Sequence, residues 1–163
     1  MNAVSTLRAT LLAAAIATGL AGCSDNQEEM SQEEIQYLSH LDQSRFFQGQ
    51  GELKASTREA RSAIELQPER PDPYLVILDN LLKAGDAINA ERQLEILLEN
   101  IPAESLTRTV ENQASIIRAR ANLLQGEFQE ALTALDGLQS PDRPEQQTAA
   151  IIRGQTLMAA GKP

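Results

Sequence analysis

Residues 71–102 read PDPYLVILDNLLKAGDAINAERQLEILLENIP. Apolar side chains recur in two runs, Tyr74, Ile77, Leu78, Leu81 and Leu82, then Ala87, Ala90, Leu94, Leu97 and Leu98, with Gly85 between them. The spacing within each run places these residues on one side of a helix. A glycine at the junction lets two antiparallel helices be joined by very few residues, because it accepts backbone angles that other residues resist. Asp86, directly beyond it, can cap the return helix through its carboxylate, and Pro102 stops that helix. The stretch is predicted to be a helical hairpin.

The same pattern surrounds three more glycines. Gly51 precedes Gly85 by 34 residues, and at that offset Ser44 falls over Leu78, Ser56 over Ala90, Ala60 over Leu94, Ala63 over Leu97 and Pro68 over Pro102. Gly126 follows Gly85 by 41 residues and Gly161 follows by a further 35, while Ile116, Ile117 and Arg118 recur as Ile151, Ile152 and Arg153. The seven extra residues before Gly126 are close to two helical turns. They belong either to a lengthened helix running from 105 or 107 to 124, or to a loop inserted at 103–111.

In the first unit, Ser31 and Glu34 form a candidate capping box, followed by Ile35, Leu38, Leu41 and Phe46 on one helical face. That helix is expected to reach about residue 48, with its partner over 53–66. The small side chains of Ser44 and Ser56 allow close approach of the two. In the third unit Ile116, Ala119, Leu123, Phe128, Ala131, Leu135 and Leu138 are the expected core. A proline-bearing linker over 140–144 leads to a last helix over 145–160.

A 34-residue unit of helix, tight turn and helix is the tetratricopeptide signature, and residues 37–163 resemble that family. The resemblance implies an all-α fold, an α-solenoid of antiparallel helix hairpins with about three and a half repeats. Its domain covers 32–163, with hairpins at 37–68, 71–102 and 105–139 and a final helix at 145–160. It also implies a concave groove lined mostly by the first helix of each pair. On the family pattern the groove candidates are Leu41, Arg45 and Gln48, then Leu75, Asp79, Leu82 and Lys83, then Ile116, Arg120 and Leu123. Carboxylate-binding members carry a clamp of basic and Asn side chains, which Asn80, Lys83, Arg120 and Asn122 match only loosely. Ile151, Ile152, Leu157 and Met158 are much apolar surface for a terminal helix. Either both faces of that helix are used, or the sequence is a fragment of a longer repeat protein.

The chain has 14 basic and 23 acidic residues, net −9, and no basic block. That sign repels phosphate backbones and excludes nucleic acid as an expected partner. It also argues against an acidic ligand in general. Trp is absent, and His40 is the sole histidine, with no metal-ligand spacing around it. No motif places a nucleophile beside a base, and Glu28, Glu29, Glu33 and Glu34 fit no calcium loop. The expectation is a non-enzyme without metal, cofactor or small-molecule substrate.

Residues 1–22 read as a processing segment. Arg8 precedes an apolar run over 10–20, whose eleven residues span about 16 Å as a helix against about 30 Å of bilayer core. The run ends in Leu20, Ala21, Gly22 and Cys23, which resembles a bacterial lipoprotein signal cleaved before an acylated Cys23. An ordinary secretory peptide followed by an idle cysteine is the alternative, although a lone exported thiol has no internal partner. Ser24 stands where inner-membrane lipoproteins carry Asp, so the resemblance implies the periplasmic face of the outer membrane. Residues 23–31 then form the acylated cysteine and a polar, acidic tether.

Together these imply a lipid-anchored scaffold, binding a protein or peptide of the cell envelope and resembling lipoproteins of pilus assembly or exopolysaccharide export. The alternative is an accessory lipoprotein docking on a cell-wall or carbohydrate-processing enzyme.

Overall fold

The computed structural model describes residues 30–161; the processing segment, Cys23 and most of the tether lie outside them. The described residues form α1 (Gln32–Gly49), α2 (Leu53–Leu66), α3 (Pro71–Lys83), α4 (Ala87–Asn100), α5 (Arg108–Gln125), α6 (Phe128–Asp136) and α7 (Arg143–Ala159). A single 3-10 turn, Ala103–Ser105, sits between α4 and α5. No strand occurs among these residues.

Successive helices pack on one another, and α1, α3, α5 and α7 also touch in sequence. The return helices α2, α4 and α6 do not touch each other. The result is an all-α, solenoid-like array, with first helices in a continuous row and return helices fanned apart behind it.

The core repeats along this row. Tyr37, Leu41, Ala60 and Ala63 pack with Val76 and Ile77 of α3. Tyr74, Leu78 and Leu82, also on α3, pack instead with Ala90, Leu94 and Leu97 of α4 and with Val110, Ala114, Ile117 and Ala121 of α5. Ile116 and Ala119 of α5 then meet Leu135 of α6 and Ile152 of α7. Each middle helix is therefore apolar on two sides, as stacking of one pair on the next requires. Ser44 and Ser56, the predicted close-approach positions, are fully buried, as are Ala90, Ala119 and Ala131 at equivalent places of the later units.

The three helix-to-helix turns share one construction. Gly51, Gly85 and Gly126 stand at φ of 77°, 77° and 80°. The residue after each glycine donates its amide back across the turn, Glu52 to Phe47, Asp86 to Leu81 and Glu127 to Asn122, at 2.8–2.9 Å. The glycine amides bond Gln48, Leu82 and Leu123. This paired pattern is the Schellman motif, which satisfies the last carbonyls of a helix only if one residue is left-handed. A Cβ built on any of these glycines would meet nothing within 4 Å, so backbone conformation rather than crowding demands glycine. Gly161 repeats the left-handed angle, at φ 68°.

Several expectations change in detail. Ile35 and Phe46 are exposed, 51% and 61%. The buried stripe of α1 instead runs through Tyr37, Leu41 and Ser44, because Ile35 and Phe46 lie eleven residues apart on the opposite face. The capping box at Ser31 is half formed: Ser31 accepts from the Glu34 amide at 3.0 Å, but the Glu34 carboxylate reaches Gln67 and Arg70. The extra residues of the third unit are divided between both alternatives. α5 has 18 residues against 13 in α3, and the 3-10 turn takes up the rest. α7 begins at Arg143, with Asp142 and Glu145 closing a capping box and Pro144 inside the first turn. The expected linker thus yields its last residues to the helix, since proline in a first turn lacks only an amide that has no helical partner there. At the far end Ile152 is buried, whereas Ile151 and Met158 are 61% and 70% exposed.

Replacing Gly85 by Ala is expected to destabilise the protein by about 1–2 kcal/mol, the cost of a left-handed L-residue. Gly49→Ala, at a helical position that is equally open, is expected to stabilise by about 0.4–1 kcal/mol. Urea midpoints of the two variants check this; equal shifts would remove the turn geometry as the reason for the glycine.

Candidate interaction surface

The groove candidates divide by chemistry. Leu41, Leu82 and Ile116 are core side chains, 3%, 4% and 9% exposed. They fill the seams between helices and are not open to a ligand in this arrangement. Leu75 and Leu123 are half-buried against the same cores. The polar candidates do line up along the row of first helices, but largely hold one another. Arg45 donates to Asp72 of α3 at 2.9 Å. Arg120 of α5 and Lys83 of α3 reach the two oxygens of Asp79 at 2.7 and 2.8 Å. Lys83 and Arg45 remain the most exposed of the set, with side chains 44% and 51% accessible.

Gln48 belongs to a buried polar ladder. Its amide donates to Asn80 Oδ1 at 2.9 Å. The Asn80 amide donates to Ser56 Oγ at 2.8 Å and to Thr57 Oγ1 at 3.1 Å, and Ser44 Oγ donates to the Ser56 carbonyl at 2.9 Å. Asn80 is only 2% exposed. It ties α1, α2 and α3 together and is unavailable as half of a ligand clamp.

A second polar knot closes the other end. Asn112 exchanges hydrogen bonds with the Gln139 backbone, accepting at 2.9 Å and donating at 3.1 Å. It also donates to the buried Glu145 carboxylate at 2.8 Å. The Asp142 amide donates to the same Glu145 oxygen at 2.9 Å. Sequence reading did not single out Asn112 or Tyr37; each is one side chain whose partners lie on other elements far along the chain.

His40 faces Glu59 of α2, Nδ1 to Oε2 at 3.0 Å. Arg70 stacks its guanidinium 4.1 Å above the Tyr37 ring. Burial pushes the Tyr37 hydroxyl up to about 12. Three carboxyls are held below their ordinary range. For Glu34 the cause is hydrogen bonds from Gln67 and then Arg70, and for Glu59 chiefly the bond from His40. Burial alone would raise Asp79, but Lys83 and Arg120 together outweigh it and lower it. Among the described residues no three His, Cys, Asp or Glu side chains converge as metal ligands, and no helix is long and apolar enough to cross a membrane.

The most apolar concavity lies between α2 and the C-terminal end of α3. This groove of about 490 Å³ is floored by Leu53, Leu81 and Ala84 and edged by Lys54, Arg58 and Arg61. None of its edge residues appears among the family-derived groove candidates. The signal that could have found them is the i, i+4, i+7 spacing of cations on one helix.

Compared with known protein families, with curated proteins and with solved structures, the chain matches none.

Asn80→Ala is expected to cost about 1–3 kcal/mol, the range for stranding buried polar partners, measured by urea unfolding. Acid should act through the three depressed carboxyls. Their contribution is complete above the ordinary carboxylate range, above about pH 5, and is lost as pH falls toward the lower folded-state values. The urea midpoint should therefore decline steadily below about pH 5, and Asp79→Asn should make that decline shallower. A midpoint unchanged between neutral and strongly acidic solution would contradict the assignment.

Proposed function

We propose that this protein is a non-catalytic interaction scaffold of the tetratricopeptide type, anchored by lipid on Cys23 at the periplasmic face of the outer membrane. There it supports assembly of an envelope complex of pilus or export type. The observation that carries the reading is the continuous row of first helices backed by return helices that do not touch one another. Such an array presents an extended rigid surface and needs no chemistry at that surface to be useful. The spacing of small residue, apolar residue and proline also supports the tetratricopeptide assignment. Ser56, Ala60 and Pro68, and again Ala90, Leu94 and Pro102, keep the offsets of the family's A-x3-F…P pattern. Leu20, Ala21 and Gly22 directly before Cys23 support the lipid, and acyl chains there would hold the protein at a membrane through about 0.8 kcal/mol per buried CH2.

Photo-crosslinkers at Arg45 and Lys83, both exposed on the first-helix row, are expected to trap a discrete envelope protein in intact cells, identifiable by mass spectrometry. Failure of both positions to trap any protein would overturn the scaffold reading. Cys23→Ser is expected to abolish incorporation of labelled palmitate and to move the protein out of the membrane fraction. Unchanged fractionation would refute the anchor while leaving the scaffold open to the first test.

A further inference from the structure

The net charge argues against acidic ligands for the molecule as a whole, yet one face departs from it. Lys54, Arg58 and Arg61 stand at i, i+4 and i+7 on α2 and edge the apolar groove floored by Leu53, Leu81 and Ala84. Lys54 and Arg61 make no ion pair among the described residues, and Arg58 has only a 3.4 Å approach to Glu59, its own neighbour in sequence. Glu65 is the one acid on the groove's rim, at its far end. These three exposed cations have Glu65 on the same rim, Glu52 beside Lys54 and Arg58, and Glu59 beside Arg58, which leaves a positive stripe along the groove's edge rather than a wholly uncompensated field. Charges beyond about 8 Å are screened at physiological ionic strength, so the distant acids responsible for the net charge do not cancel it.

The repeat carries over only part of the cation row. Thirty-four residues on, the positions of Lys54, Arg58 and Arg61 are occupied by Ile88, Arg92 and Glu95, so the middle cation recurs and the outer two do not. In that next unit Glu91 and Glu95 edge a smaller concavity beside Arg118. One structural position therefore carries opposite charge in two neighbouring units. The same splaying of α2 from α4 that opens the first groove leaves its apolar floor uncovered by the following return helix.

We propose that this groove binds an acidic amphipathic helix of a partner protein, laid along α2. Lys54 and Arg61 are separated by about 10 Å along the helix axis. A partner helix with carboxylates at i, i+4 and i+7 repeats that spacing, and apolar side chains on its adjoining edge reach the floor between Leu53 and Leu81. Affinity then comes from the apolar anchors, while the charge row sets register and orientation. An apolar floor bounded by a cation row of fixed helical spacing matches a partner helix with acids beside apolar side chains. The proposal rests on the scaffold reading and adds to it a second surface, between α2 and the end of α3, with a defined ligand chemistry.

The test is selection from a displayed library of helical fourteen-residue peptides on the full-length protein in detergent, counter-selected on the Arg58→Glu, Arg61→Glu double variant. The expected result is enrichment of peptides with acids at i, i+4 and i+7 beside apolar residues. Binding should weaken at least tenfold in the double variant and with added salt, and should persist in Arg58→Lys, Arg61→Lys. Circular dichroism melts confirm that both variants are folded; should the double variant be unfolded, Lys54→Ala with Arg61→Ala replaces it under the same criterion. Enrichment of non-acidic peptides, or equal binding to wild type and charge-altered protein, overturns the proposal. Binding of phosphatidylglycerol vesicles through these cations, with no peptide enriched, also overturns it in favour of a lipid site. Trapped partners at Arg45 or Lys83 that persist in the charge-reversed variant, without any acidic helix selected, would reject this groove and leave the scaffold standing.

Discussion

A chain that folds back on itself within three residues must place one of them at a backbone angle that side chains resist. Here that residue is glycine at the turns within the three hairpins, and the amide beyond it closes the same long hydrogen bond to the preceding helix each time. The geometry of the turn fixes where the return helix starts and hence which of its residues meet the first helix. The complete burial of Ser44 and Ser56, of Leu78 and Ala90 and of Ala119 and Ala131 follows from it, as does the repetition of one core motif along the array. Without the left-handed turn the periodic apolar positions would still exist, but they would not face one another.

The three units fill this common frame with different chemistry. The middle one closes with aliphatic side chains around Leu78 and Leu94. The first closes with hydroxyls and amides, Ser44, Ser56, Gln48 and Asn80, and the last is fastened at its edge by Asn112 and Glu145. Hydrogen bonds of this kind contribute modestly when made and cost much more when one partner is stranded. They therefore act mainly on register, penalising any sliding of α1 against α3 or of α5 against α7. The ion pairs along the first helices work in the same direction with smaller effect, because each is partly exposed and screened by solvent.

This division separates the two faces of the array. On the row of first helices the charged side chains are matched to one another, Arg45 with Asp72 and Asp79 with Lys83 and Arg120. Along α2 the cations stand beside an apolar floor without such matching. A count of charges over the whole sequence averages these two situations. Only their local setting, matched by a partner charge in one case and beside open apolar surface in the other, makes them distinguishable to a partner.

The sequence by itself determined the helices, the hairpins and the period, because these depend on neighbours three or four residues away and on glycines whose backbone freedom is local. It placed α2 at its observed bounds and located the turns. It misjudged the face of α1, where Ile35 and Phe46 are apolar and periodic, yet Tyr37 and Leu41 are the residues that α2 and α3 cover. Periodicity gives a stripe but not the direction it faces. Only the tertiary structure decided which side chains remain available. Leu41, Leu82 and Ile116 are consumed by neighbouring helices, Asn80 and Asn112 by partners distant in the chain, and Lys54, Arg58 and Arg61 are left beside open apolar surface. Accessibility and pairing are properties of helices brought together from distant parts of the chain, and local spacing does not encode what will arrive from that distance.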